Sequence, residues 1–242
     1  MNRKLELGMG IVMLVGVFFL ARQGAAVVSS SAMAKETGNC IVVDAGHGGD
    51  DPGKVGINGV LEKDLNLQIA LKLKDLLEKG GMKVILTREG DAGLYDAGAG
   101  NKKVQDMRRR CEIITEAKPV FTISIHQNSY PDEAVKGAQC FYFGQSEEGK
   151  ELAETIQESL KSQLDKENHR MAKANESYYL LKKTPTPTVI VECGFLSNSQ
   201  EAALLMTDDY QQKVAQAVYT GAVQFLGGTE TEAVTGTTEG SE

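Results

Sequence analysis

Apolar and polar positions along this chain follow two rhythms. Short apolar runs rich in Val and Ile occupy Ile41 to Asp44, Lys83 to Thr87, Val120 to His126, Ala138 to Phe143, Tyr178 to Leu181 and Val189 to Cys193, and each reads as a strand. Between them the spacing lengthens to three and four. Leu65 to Lys79 carries Ile69, Leu73, Leu76 and Leu77 on one helical stripe and stops at Gly80-Gly81. Val104, Met107, Cys111 and Ile114 mark a second helix, with Arg108, Arg109 and Arg110 mostly off that stripe, and Glu147 to Leu164 marks a third. Asn198-x-x-Glu201 has the form of a capping box, and Asp208 to Phe225 reads as the terminal helix. Strands alternating with helices predict an α/β fold: a mostly parallel, twisted sheet of about six strands with helices on both faces, in a single domain. Gly90 to Gly100 and Asn168 to Glu176 lack either rhythm and are expected to be mobile loops.

The two ends fall outside this pattern. Residues 1–34 combine a basic start (Arg3, Lys4), an apolar stretch from Leu7 to Ala21 and a small-residue site at Ala32-Met33-Ala34, the form of an export signal. The stretch is shorter than the ~20 residues that span a bilayer, so the alternatives are a cleaved signal peptide or a retained membrane anchor. Residues 228–242, mostly Gly, Thr, Ser and Glu, are expected to form a disordered acidic tail, which leaves 35–227 as the folded domain. The resulting localisation is extracytoplasmic, with membrane association through the N-terminal segment as one outcome.

The net charge of −7 argues against a nucleic-acid partner. Four cysteines, Cys40, Cys111, Cys140 and Cys193, lie in apolar segments without paired spacing and read as small buried hydrophobes rather than as a disulfide framework.

Chemistry concentrates at the strand ends. His47 and His126, two of only three histidines, each close an apolar run; Glu192 closes another, and Glu62 arrives at the amino end of the first helix. In open parallel sheets ligands collect beyond the carboxyl ends of the strands, so these four side chains are placed to meet. Two imidazoles and carboxylates are the ligand set of a catalytic zinc. Any one of them alone has an ordinary explanation: a loop histidine held by hydrogen bonds, or an acid complementing a helix dipole. Glu192 is the most telling, because an acid ending an apolar strand is partly desolvated and needs a partner. His169 stands in a polar run and reads as solvated surface. A nucleophilic Cys193 is a rival, disfavoured by acidic neighbours that oppose its ionisation.

Five stretches, Val43-Asp44-Ala45-Gly46-His47-Gly48-Gly49, Leu61-Glu62-Lys63-Asp64-Leu65, Thr87-Arg88-Glu89-Gly90-Asp91, Ser124-Ile125-His126-Gln127-Asn128 and Val191-Glu192-Cys193-Gly194-Phe195-Leu196-Ser197-Asn198, together resemble the zinc-dependent N-acetylmuramoyl-L-alanine amidases of type 3. Within that family the chain looks most like the germination-specific, CwlD-like members. The resemblance implies Zn2+ held by His47, Glu62 and His126, Glu192 as the catalytic acid and base, and Asn128 and Arg88 as substrate contacts. It implies peptidoglycan as substrate, a role in spore cortex processing towards muramic lactam, and leaves open an accessory activating protein. Ala45 stands where the family usually has Pro, and Gln127 and Ser129 replace small or apolar neighbours of Asn128. No long insertion separates His126 from Glu192, so self-inhibition by a blocking helix is not expected. The rival functions are a zinc peptidase cutting within the stem peptide, or an exported metal- or wall-binding module without turnover.

Overall fold

A computed structural model describes residues 40–235; the expected export segment lies outside them. The elements run β1 (Cys40–Ala45), α1 (Glu62–Lys79), β2 (Lys83–Leu86), α2 (Lys102–Ala117), β3 (Thr122–Asn128), β4 (Gln139–Tyr142), α3 (Glu147–Gln163), β5 (Lys173–Ala174), α4 (Tyr179–Lys183), β6 (Thr188–Phe195), α5 (Ser199–Leu205) and α6 (Asp208–Thr235). One six-stranded sheet results, in the order β2-β1-β3-β6-β4-β5. Every pairing is parallel except that of β4 with β6.

Strand alternation divides the side chains between two unequal layers. Ile41, Val43, Ala45, Ile123, Ile125, Val189, Val191 and Cys193 face a thick core that they share with α1, α3 and α6. Val42 meets Cys111, Ile114 and Leu180 on the opposite face, under α2 and α4, and Ile190 packs there with Phe141 and Leu181. The alternate positions Asp44, Ser124, His126 and Glu192 belong to this thinner side. In the parallel ladder His126 and Glu192 are direct register partners on β3 and β6, so the sheet itself sets them side by side at its carboxyl edge.

Three expectations need correction. Tyr178 to Leu181 is not a strand. The Asn175 side chain accepts from the backbone N–H of Ser177 and Tyr178, at 2.8 and 2.9 Å, and this turn starts α4 instead. The sixth strand comes from Lys173–Ala174, an exposed edge pair with no apolar signature, inside the segment read as a loop. The helix α6 continues to Thr235, so residues 228–235 of the expected tail are helical and only its remainder lies outside the described residues.

Beneath the carboxyl edge lies a buried polar core. Asp44, fully buried, receives Arg110 Nη1 at 2.6 Å, Thr87 Oγ1 at 2.7 Å and Ser124 Oγ at 2.5 Å. Burial alone would raise its pKa, but the guanidinium and the two hydroxyls outweigh that and hold it at about 2, against an ordinary 3.8. A depressed carboxyl stabilises the fold in full above its unfolded pKa and ceases to do so as pH falls through the folded one. Asp44 is therefore expected to contribute about 2 kcal/mol at neutral pH that disappears between roughly pH 4 and pH 2. Urea unfolding of the wild type and of Asp44→Asn across that window checks this: the variant should be less stable at pH 7, and its stability should fall less steeply with acid.

Candidate metal centre and general base

Beyond Ala45 the chain leaves the sheet through Gly46, and His47 adopts a left-handed backbone, φ 63°. Its Nδ1 lies 2.9 Å from Asp51 Oδ2, an acceptor that orients the ring, and its Nε2 lies 3.2 Å from Glu62 Oε1. His126, from the end of β3, brings Nδ1 to 2.9 Å from the same Oε1. Glu62 stands in the first turn of α1, only 2% exposed, and is fixed by three further donors: Lys54 N to Oε2 at 2.8 Å, and Gln127 N and Asn66 Nδ2 to Oε1 at 3.1 and 3.3 Å. One ligand atom from each of His47, Glu62 and His126 falls within 4.8 Å of the others.

Two glycines make this closeness sterically allowed. A Cβ on Gly46 would sit 2.2 Å from the His126 ring, and one on Gly53 would sit 2.5 Å from Glu62 Oε2 and 2.7 Å from His47 Cδ2. Two neutral imidazoles and an anionic carboxylate, converging with an outer carboxylate behind one ring, fit a divalent cation of the zinc type. The charges stabilise one another: the carboxylate is held ionised, as a cation requires, while the two acids favour the imidazolium of His47, whose proton a metal would have to displace. Burial would raise Glu62, yet the two imidazoles hold its carboxyl well below the ordinary range. Burial would lower His47, yet Glu62 and Asp51 raise it.

Glu192 completes the wall. It is 7% exposed, and its Oε2 has no hydrogen-bond partner. Burial pushes its pKa up to about 7, against an ordinary 4.5; His126 opposes the rise and the nearby Glu62 carboxylate adds to it. The Tyr178 hydroxyl also lies against this carboxyl, and burial with Glu192 pushes the phenol up to about 12. A carboxyl poised near neutrality is equally able to take a proton and to give it back. Glu192, the three clustered residues, Asn128 and Tyr178 line one cavity of about 490 Å³.

Not all the residues singled out from sequence meet there. Asn128 lines the cavity next to the bulge between β3 and β6, and its Oδ1 accepts from Ser129 N at 2.8 Å. Arg88 does not reach it. Its guanidinium is buried and donates to the carbonyls of Ala45, Gly46, Lys63 and Gly90 at 2.7–3.1 Å. Cys193 follows Glu192 and so points to the opposite, apolar face; burial raises its thiol far above the ordinary value, which removes it as a nucleophile. All four cysteines are buried and unpaired. His169 is exposed and lies apart from the cavity.

Sequence patterning missed Asp51, Asn66, Arg110 and Tyr178. For Arg110 a signal was present: it lies three residues after Met107 and four before Ile114, on the face that α2 buries, whereas Val104 from the assumed stripe is 63% exposed. Gly90 to Gly100 also departs from the mobile loop expected. Asp91 Oδ1 accepts from Gly49 N at 2.9 Å, Tyr95 Oη from Asp50 N at 2.6 Å, and Leu94 N donates to Asp106 Oδ1 at 2.7 Å, so the segment is strapped to the His47 turn and to α2.

Known proteins match over the same region. The model of the N-acetylmuramoyl-L-alanine amidase family matches residues 41–224. The germination-specific N-acetylmuramoyl-L-alanine amidase of Bacillus subtilis (strain 168) is 38% identical over 193 residues, covering 78% of this chain and 81% of the relative. Among solved structures, the CwlD amidase from Clostridioides difficile, in complex with the GerS lipoprotein, superposes with a TM-score of 0.76 at 42% identity, covering 78% of this chain and 98% of that one. The catalytic domain of CwlV, an N-acetylmuramoyl-L-alanine amidase from Bacillus (Paenibacillus) polymyxa var. colistinus, does so with a TM-score of 0.66 at 29% identity, covering 78% and 98%.

Proposed function

Because the chain belongs to the N-acetylmuramoyl-L-alanine amidase family, we propose that His47, Glu62 and His126 hold a zinc ion and that Glu192 moves the proton as the amide between N-acetylmuramic acid and L-alanine of peptidoglycan is hydrolysed. The observation that carries this reading is the convergence of three donor atoms within 4.8 Å next to a buried carboxyl with an unpartnered oxygen. When bound, zinc supplies a Lewis acid that polarises the scissile carbonyl and acidifies water.

The protein's own residues do the rest. Glu192 takes a proton from the attacking water as the new C–O bond forms. As the C–N bond breaks, it returns that proton to the alanine nitrogen, which would otherwise depart as a strongly basic amide anion. Burial in the cavity wall favours its protonated form, which helps it keep the proton between the two halves of this cycle. Asp51 keeps the His47 ring in the tautomer that offers Nε2. Asn128, one of several polar residues on the cavity wall, is the substrate contact in this reading.

The likeness to the germination-specific relative supports a spore cortex substrate, with side-chain removal preceding muramic lactam formation. We extend the reading to an extracytoplasmic protein: residues 1–34 as signal or anchor, 35–227 as the catalytic domain, and an acidic tail after it. Among the described residues no helix is long and apolar enough to cross a membrane. The complex of the C. difficile relative with a lipoprotein supports an accessory protein acting on this chain too.

Digestion of purified peptidoglycan by the metal-analysed protein tests the core of this. The expected result is about one zinc per chain, release of peptides with a free N-terminal L-alanine, and loss of release on chelation, restored by added zinc. Peptides cut within the stem would establish a peptidase instead, and an absence of any product from zinc-loaded protein would leave a binding module.

A further inference from the structure

Two buried guanidiniums lie directly beneath the turn that carries His47. Arg88 is 5% exposed and Arg110 2%. Arg110 donates Nη1 to the Ala45 carbonyl at 2.8 Å and Nη2 to the His47 carbonyl at 2.6 Å. Arg88 donates Nε to the same Ala45 oxygen at 2.9 Å, Nη1 to Gly90 at 3.0 Å, and Nη2 to Gly46 at 3.1 Å and Lys63 at 2.7 Å. Three successive carbonyls of the turn, those of residues 45, 46 and 47, therefore end on arginine. The fourth contact of Arg88 falls on the residue immediately after Glu62.

This is an unusual use of buried charge. Arg110 has Asp44 and Asp106 as ion-pair partners, each at 2.6 Å. Arg88 has only carbonyls within hydrogen-bond range among the described residues; burial and the second guanidinium act against its charge, while Asp44, Asp91 and Asp106 favour it without touching it. Burying a cation without a contacting carboxylate is costly, so its retention calls for a return elsewhere. The backbone it grips is itself unfavourable. His47 at φ 63° is followed by Gly48 at φ 137° and Gly49 at φ 59°, and a left-handed non-glycine residue costs roughly 1–2 kcal/mol. β1 has ended, and beyond Gly46 N on Ile125 O the turn is held by its own Gly48–Asp51 backbone pair, by Asp91 on Gly49 N, by Asn66 on the Gly46 carbonyl and by the two arginines.

We propose that Arg88 and Arg110 act as a paired positioning clamp for the metal centre, holding the His47 turn and the Glu62 end of α1 in the relative placement that lets both bind one cation. This rests on the reading that His47, Glu62 and His126 hold zinc. It assigns Arg88 to the back of the site and away from substrate, because Nε and both terminal nitrogens already donate to carbonyls. Lysine cannot substitute: an ammonium is one compact donor group and cannot span carbonyls on two separate segments as the planar fork does.

The test compares Arg88→Lys and Arg110→Lys with wild type in three measurements: zinc affinity by competition with a chromophoric chelator, thermal midpoint, and amide exchange across residues 45–49. Arg88→Lys is expected to fold, to exchange faster only in that turn, and to bind zinc roughly 10- to 100-fold more weakly. At saturating zinc its kcat should return to within a few-fold of wild type. Wild-type zinc affinity in Arg88→Lys overturns the clamp. So does a lasting rise in KM at saturating zinc, which would make Arg88 a substrate contact. Should Arg110→Lys fail to fold, Arg88→Lys, which leaves the Asp44 ion pair intact, decides alone. A wild-type protein that binds no zinc ends the metal reading itself, a result distinct from unequal binding by the variants.

Discussion

Glu192→Gln is expected to bind zinc like the wild type and to hydrolyse its amide roughly 10²- to 10⁴-fold more slowly, the range that a lost general acid–base group accounts for. The substitution keeps the shape of a side chain that is 7% exposed, so no cavity opens and the fold should survive. The loss should fall on kcat, since the carboxyl acts on the proton in flight rather than on the resting substrate. Zinc content and steady-state rates on the same preparation decide the matter. A variant within a few-fold of wild-type turnover would show that another group carries the proton, and Tyr178, which lies against the same carboxyl, would be the first to examine.

His126→Ala is expected to act on the other half of the chemistry. Dividing the 10–16 kcal/mol apparent binding energy of zinc in small protein sites among its ligands gives about 3 kcal/mol for each, so affinity should fall roughly 100-fold or more. Activity at trace zinc should fall with the lost occupancy and recover in part with excess metal, whereas that of Glu192→Gln should not respond to added zinc. The fold should persist, because His126 is half-buried at the sheet edge while Ile123 and Ile125 of β3 remain in the core. Metal analysis after dialysis against a weak chelator provides the measurement. Retention of stoichiometric zinc by the variant would remove His126 from the ligand set.

Much of this architecture was legible in the chain because the sheet interior is written in one alphabet. β1, β3 and β6 are buried along nearly their whole length and rich in Val and Ile, as strands covered on both sides must be, and the ionisable residue near the end of each run marks the carboxyl edge. That logic placed His126 and Glu192 correctly at that edge, and helix periodicity brought Glu62 to the start of α1. What escaped was whatever depends on tertiary partners. Lys173–Ala174 becomes a strand only because Phe141 and Tyr142 offer it an edge. Arg110 looked like surface because an arginine is rarely buried, and only Asp44, itself inside a strand, makes its burial tolerable. Asp51 is a third case, a loop acid whose significance appears once the turn folds His47 back onto it.

The register pairing of His126 with Glu192 has a consequence for how such a centre can change over time. His126, a proposed ligand, and Glu192, the proposed proton carrier, are fixed to neighbouring rungs of a parallel ladder, while His47 and Glu62 arrive on a glycine turn and a helix tip. Substitutions that accumulate in the turn can retune how firmly the cation is retained without shifting the base relative to the strand beside it. Grip on the ion and speed of the reaction are thereby free to drift under separate selection.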